Sequence, residues 1–462
     1  MKKWNFKQLA LTGGPCLAIA VGIILDIAGQ PTEAAWTAAV TTLCAVWWIF
    51  EPIPIPATSL IPFALFPFIG VLDRKEVSTA YGHHLILLMM GGFILSTAME
   101  KSGAHRRLAL GMVRLVGGAG GRTLVLGFML ASAFLSMWIS NTATTLMLLP
   151  VATAVLESCP NRRVATPLLL GVAYGASVGG IGTPIGTPPN VVFMAQYEEL
   201  TGTPFSFLGW MKLGVPVVLV MLPAIWLWLT RNLRDASKPE LPELGTWQSD
   251  EKRVLIVFAI AALAWMTRTE PFGGWSAWLN LPGVGDSTVA LVMVVALFIL
   301  SDGKGGKLLD WETAVRIPWG LLLLYGGGIA IANGFKASGL SESLGNLLSG
   351  LSELPTMLMI LGICLAVTFL TEVTSNTATT TLLMPLLGAA AVGANINPTL
   401  LMVPAAISAS CAFMLPVATP PNAIVYGTGQ FSVNRMVREG LVLNLLGVVA
   451  ISILCYGFLG KG

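Results

Sequence analysis

Charge is what this sequence has least of. Only 11% of its 462 residues are Asp, Glu, Lys or Arg, against 55% that are hydrophobic, where soluble domains carry about 25% charged residues. A wet surface cannot be built from so few charges, so most of the exterior must face lipid. Histidine is scarcer still, with three residues. There is no HExxH pattern and no GxSxG nucleophile beside a base, so an enzyme is not expected. No GxxxxGK[ST] loop is present, which argues against direct drive by ATP. The six cysteines lack metal-ligand spacing. Cys16, Cys44, Cys364, Cys411 and Cys455 lie in apolar segments and Cys159 adjoins a basic loop, so all six read as small apolar fillers. Neither an organic cofactor nor a nucleic-acid partner is expected.

What the sequence has is apolar length. Its hydrophobic residues fall in runs near or beyond the ~20 residues that cross a bilayer as a helix. The 50 glycines and 28 prolines are spread through those runs, as suits transmembrane rather than soluble helices. Candidate spans are 9–28, 34–50, 55–72, 82–100, 165–196, 211–230, 254–270, 287–301, 318–335, 399–428 and 438–459. Two further segments, about 123–157 and 355–392, are too long for one helix and carry a polar Ser-Asn-Thr near the middle. Read as re-entrant hairpins they leave eleven spans; read as pairs of full crossings they give fifteen with the same parity. Lys2, Lys3 and Lys7 precede a first run too long for a signal core, so no cleavable signal peptide is expected. With the amino terminus in the cytoplasm, 20 of the 26 basic residues fall on the cytoplasmic side, the exceptions being Arg74, Lys75, Lys212, Arg268, Lys336 and Lys461. That imbalance follows the positive-inside rule and puts the carboxyl terminus outside.

The chain also repeats itself. Residues 140–150 read SNTATTLMLLP and residues 375–385 read SNTATTTLLMP, identical at eight of eleven positions. Gly91-Gly92 and Gly326-Gly327 stand 50 residues before the two asparagines, and Thr-Pro-Pro-Asn follows at 187–190 and 419–422. The span map places an odd number of crossings between the copies, so the halves are expected to be inverted, as in many secondary transporters. The expected divisions are an extra amino-terminal helix (1–33), a first repeat (34–235), a cytoplasmic linker (236–252) and a second repeat (253–462).

Pro150 and Pro385 follow the SNT segments in a way that suits half-helices meeting at a tip. Paired prolines at 188–189 and 420–421 must interrupt their spans, because they remove backbone donors and clash with a continuing helix. Irregular backbone at membrane depth is tolerated only where it is buried in protein or lines a wet cavity. Exposed helix amino-terminal ends hold carboxylates, while carbonyl, hydroxyl and carboxamide oxygens suit sodium. No Arg or Lys falls in either repeated motif, so an anion would be met by dipoles, hydroxyls and co-bound cations. Single Ser and Thr residues in membranes usually join helices, but a doubled motif points to binding. The glycine pairs read as close-packing sites. His83 and His84 fall at an outer boundary, in the headgroup region. Glu372 is the one charge inside a motif, either functional or a brace for the second hairpin.

The segments FLSMWISNTATT (134–145) and FLTEVTSNTATT (369–380), with the two Thr-Pro-Pro-Asn breaks, resemble the divalent anion:sodium symporter family, including its INDY-type bacterial sodium/dicarboxylate symporters. The resemblance covers essentially the whole chain. It implies an all-α polytopic membrane protein with about eleven transmembrane helices, two re-entrant hairpins, and scaffold and transport domains that shift by an elevator motion. It implies a homodimer in the bacterial cytoplasmic membrane and sodium-coupled symport of a C4 dicarboxylate such as succinate, malate or fumarate. Substrate would lie against Ser140, Asn141, Thr142, Ser375, Asn376, Thr377, Thr419 and Pro420. One sodium would be held by Ser136, Ser140, Asn141 and Gly186, and a second by Thr371, Thr374, Asn376 and Ala418. At least two sodium ions are expected to move with substrate. Exchange, proton coupling, citrate or sulfate selectivity and, more remotely, an anion channel are the alternatives.

Overall fold

The computed structural model describes residues 6–116, 120–159, 162–233, 245–347 and 354–460. Lys2, Lys3, Arg234, Lys238, Lys461 and most of the expected linker lie outside the described residues. Among those described, regular structure is helical, apart from one isolated bridge between Ser301 and Lys307.

The pair α1 (Phe6–Ile27) and α2 (Thr32–Phe50) packs side by side, with Trp47 Nε1 donating to the Ala10 carbonyl at 3.0 Å. The expected span 55–72 is instead two short helices, α3 (Ile55–Thr58) and α4 (Ile61–Leu65). The prolines at 52, 54, 56, 62 and 67 explain the difference, since each removes a helical donor. Next come α5 (Arg74–Tyr81), α6 (His84–Ser102) and α7 (Ala104–Val116). Asp73 starts α5 with a capping box, its carboxylate accepting from Lys75 N and Glu76 N.

The first helical hairpin is α8 (Gly121–Ser136), a turn at 137–140 and α9 (Asn141–Ser158). It is followed by α10 (Ala165–Gly179), a short 3-10 turn, a break, and α11 (Pro188–Thr201). Then come α12 (Phe207–Thr230), α13 (Ser249–Met266), α14 (Gly274–Trp278), α15 (Asp286–Ile299), α16 (Trp311–Ala314), α17 (Trp319–Ala337) and α18 (Leu340–Leu347). The second hairpin is α19 (Thr356–Thr371), a turn at 372–375 and α20 (Asn376–Gly393). It is followed by α21 (Thr399–Ala409), a break, α22 (Pro420–Tyr426) and α23 (Val433–Leu459).

Seven helices among the described residues are long and apolar enough to cross a membrane. Their neighbours show the same preference. Ile256, Ile260 and Leu263 on α13, and Val292, Val295 and Ile299 on α15, are all exposed, each set at helical spacing. Stripes of this kind in water would be association surfaces; against lipid they are an ordinary exterior. The core instead centres on α10, where 14 of 15 residues are buried. Small residues let it seat there: a Cβ on Gly179 would lie 2.2 Å from the Ala133 carbonyl oxygen of α8.

Each half's broken helix packs on the other half's hairpin, α11 against α20 and α22 against α9. Pro150 and Pro385 follow the tips. Each sits inside a continuous helix, α9 or α20, and the turn falls before the motif asparagine. The glycine pairs are packing sites, as read: a Cβ on Gly91 would meet that of Ala290 at 2.6 Å, and one on Gly326 would meet the Tyr81 ring at 2.4 Å. The cysteines form no disulfide among the described residues; all but Cys16 are buried.

Candidate functional site

Four helices begin at one place. Ser140 is the N-cap of α9, Ser375 of α20, Thr187 of α11 and Thr419 of α22. All four line a single cavity of about 960 Å³. The same walls contain all eight residues expected against substrate: Ser140, Asn141, Thr142, Ser375, Asn376, Thr377, Thr419 and Pro420. Gly186, Thr374 and Ala418 also line it, whereas Ser136 and Thr371 are fully buried behind it.

The four helix starts are not equivalent. In α11 and α22 the first two helical residues are prolines, so those ends have lost donors. The hairpin arms α9 and α20 keep theirs, and the positive ends of both dipoles point at the cavity. An anion is therefore best met at the two hairpin tips.

The breaks after α10 and α21 are held open by the same device. Asn190 Nδ2 donates to the carbonyls of Gly180 (2.9 Å) and Thr183 (2.7 Å). Asn422 Nδ2 donates to those of Ala412 and Leu415, both at 3.0 Å. Each asparagine thus ties down carbonyls that the missing helical turn leaves without partners. This explains why asparagine follows the proline pair in both halves.

In the first half, Ser136 Oγ donates to Asn141 Oδ1 at 2.5 Å. The same end of the Asn141 carboxamide lies 3.2 Å from the Ala176 carbonyl oxygen and 3.3 Å from that of Gly186. Turned so that its NH2 faces them, the Asn141 carboxamide donates to both carbonyls and to Ser136 Oγ at 2.5 Å. Ser136, Asn141 and Gly186 are thus brought together, while Ser140 Oγ is engaged in capping Ala143 N at 3.2 Å. Ala176 joins them, a carbonyl that the sequence reading did not name.

The second half is arranged differently. Asn376 Oδ1 accepts from Thr377 N at 2.7 Å and from Thr377 Oγ1 at 3.2 Å. Thr371 Oγ1 donates to the Ala409 carbonyl at 3.1 Å, and Thr374 Oγ1 to Leu370 at 2.8 Å. Thr374 and Asn376 face the cavity with Ala418, but Asn376 Oδ1 is taken by the next residue, Thr377, instead of meeting Thr371.

Glu372 is almost wholly buried and turned away from the cavity. Its carboxylate accepts from Met414 N (2.9 Å), Leu415 N (2.9 Å) and Asn444 Nδ2 (2.7 Å). Of the two roles open to it, the geometry is that of a brace. The cavity also gathers charges that no motif contains: Lys7, Glu51, Glu100 and Arg316. They come from four distant segments, and only folding brings them together.

An all-helical, multi-pass membrane protein with a polar cavity between two hairpin tips and two broken helices has the form of a membrane transporter. The family model described as "Sodium:sulfate symporter transmembrane region" matches residues 15–459. The chain belongs to that family, the divalent anion:sodium symporters. It is 40% identical over 481 residues to the "Sodium-dependent dicarboxylate transporter SdcS" of Staphylococcus saprophyticus subsp. saprophyticus, covering 98% of this chain and 92% of that one. Proteins of the same name from Staphylococcus aureus strains are 38% identical over 483 residues at the same coverage. Among solved structures, the Alcanivorax borkumensis YdaH transporter aligns with a TM-score of 0.60 at 14% identity, over 87% of this chain and 89% of that one. Neisseria gonorrhoeae MtrF aligns with a TM-score of 0.61 at 13% identity, over 85% of each chain. These two likenesses carry the fold alone.

Proposed function

We propose that this chain is a sodium-coupled symporter of C4 dicarboxylates such as succinate, malate and fumarate. The observation that carries the reading is the convergence of both SNT tips, with their helix amino-terminal ends, on one cavity. A dicarboxylate presents one anionic end to each tip: Ser140, Asn141 and Thr142 meet one carboxylate, and Ser375, Asn376 and Thr377 the other, with Thr419 and Pro420 at the edge. Sodium enters the oxygen cluster of Ser136, Asn141 and Gly186, and its charge offsets the substrate's. A second sodium takes Thr371, Thr374, Asn376 and Ala418 after Asn376 releases Thr377. The relatives named as sodium-dependent dicarboxylate transporters support both the ion and the substrate class.

Lys7, Glu51, Glu100 and Arg316 border the cavity, and the charge distribution assigns their segments to the cytoplasmic side. This conformation is therefore read as inward-facing. Transport exposes the cavity to the other side, as an elevator in which the two hairpins and broken helices move against the remaining helices, within a homodimer. The orientation, with amino terminus inside and carboxyl terminus outside, belongs to the same proposal. Proton coupling through Glu372 is not favoured, because its carboxylate is fully engaged away from the cavity.

Uptake of labelled succinate into proteoliposomes tests the proposal. Uptake is expected to follow an inward sodium gradient and to fall to background when choline replaces sodium. Equal uptake in choline would overturn the coupling.

A further inference from the structure

One side-chain cluster lies far from the cavity and has no part in that reading. His83 and His84, at the start of α6, stack with ring centroids 4.5 Å apart. His84 Nε2 lies 2.9 and 3.0 Å from the two carboxylate oxygens of Glu198 on α11. His83 Nε2 lies 3.5 Å from Glu199 Oε1. One ligating atom each from His83, His84 and Glu198 fall within 4.8 Å of one another. The His84 side chain is 45% exposed, at the boundary where the sequence places the headgroup region. Glu100, at the cavity, is 16 residues along the same helix, so about 24 Å of helix separates the two places.

We propose that His83, His84 and Glu198 form a binding site for a divalent transition-metal ion of the zinc class, with Glu199 within reach as a fourth ligand. Imidazole mixed with carboxylate suits Zn²⁺ and Co²⁺, whereas Mg²⁺ and Ca²⁺ take oxygen ligands. Donors around tetrahedral zinc stand about 3.4 Å apart, so the three atoms, now within 4.8 Å of one another, draw closer on binding. Two carboxylates outweigh the nearby Lys336 ammonium, which donates to the Glu199 carbonyl at 3.4 Å, and neutral imidazoles add no opposing charge. Binding through His83 Nε2 displaces the long 3.3 Å bond from Leu85 N to His83 Nδ1, a weak cap. The ligands come from two helices that touch each other but have different main partners: α6 packs chiefly on α15 and α13, and α11 on α20 and α21. A bound ion ties the two groups together.

The test is calorimetric titration of ZnCl2 into the full chain, purified in detergent and stripped with a chelator. One Zn²⁺ per chain is expected, with affinity lowered about tenfold or more in both His84→Ala and Glu198→Gln. Co²⁺ in the unmodified chain gives the absorption bands of a tetrahedral site, and these vanish in His84→Ala. Zn²⁺ raises the Tm of the unmodified chain but not that of His84→Ala, whose own melting transition reports that it is folded. Cys16→Ser retains the ion, which separates the site from the one exposed thiol. No saturable binding below about millimolar Zn²⁺, or binding unchanged in both ligand variants, would overturn the proposal. None of these readouts depends on transport.

Discussion

The two hairpin tips carry the same six-residue motif and are held by different side-chain contacts. At the first, Met137 lies against Gly182, and Trp138 packs on Phe207 and Phe258 with ring centroids 6.4 and 5.6 Å away. At the second, the residue matching Met137 is Glu372, and polar bonds replace the apolar packing. The adjoining breaks account for the difference. The first leaves carbonyls to satisfy, and Trp210 Nε1 donates to that of Ile181 at 2.8 Å. Beyond the carbonyls that Asn422 ties down, the second also leaves amides, which need acceptors: Glu372 takes two, and Asn444 Oδ1 takes Phe413 N at 3.1 Å. A repeated motif can therefore stay constant while its supports diverge, provided each support answers the backbone groups beside it.

Removing the support that only one half has should show the largest effect. Glu372→Ala leaves two amides and Asn444 Nδ2 without their acceptor in the interior and is expected to destabilise the chain by about 3–5 kcal/mol. Glu372→Gln keeps the shape and loses less. Thermal melting in detergent reads both. If Glu372→Ala melts like the parent, the brace is not one. A pH response of transport unchanged in Glu372→Gln is also expected, since the group does not face the cavity.

Removing what the halves share should cost the same in each. Asn190→Ala and Asn422→Ala each free two carbonyls, and each is expected to lower stability by about 2 kcal/mol. A large inequality between them would show that the breaks are not held alike.

The smallest effect concerns sodium. Ser136 already meets Asn141, whereas Thr371 does not meet Asn376. Ser136→Ala is thus expected to weaken sodium activation of uptake by about tenfold, or about 1.4 kcal/mol, and Thr371→Ala by less. The reverse order would mean that the second site is the one preformed.

The location of the site was legible in the sequence because it is written twice. SNTATT and Thr-Pro-Pro-Asn are local strings, and a proline pair dictates a broken helix wherever it occurs. All eight expected substrate-side residues line the cavity. The surrounding charges were not legible: Lys7, Glu51, Glu100 and Arg316 belong to separate segments and meet only through tertiary packing. One local reading also changed. The run 55–72 is apolar enough to look like one span, yet its prolines divide it. The Ala176 carbonyl had no sequence signal, since any residue supplies a carbonyl.

The central claim, that two tips hold one dianion together with sodium, is tested most directly by the effect of succinate on Tm. The chain would be melted in sodium and in choline, alongside Asn141→Ala and Asn376→Ala. The account predicts that succinate raises Tm only in sodium, by an amount equivalent to about 2.7 kcal/mol at a hundredfold excess over Kd. It predicts that either variant abolishes the shift while keeping a cooperative transition. A succinate shift that persists in choline, or in both variants, would contradict it.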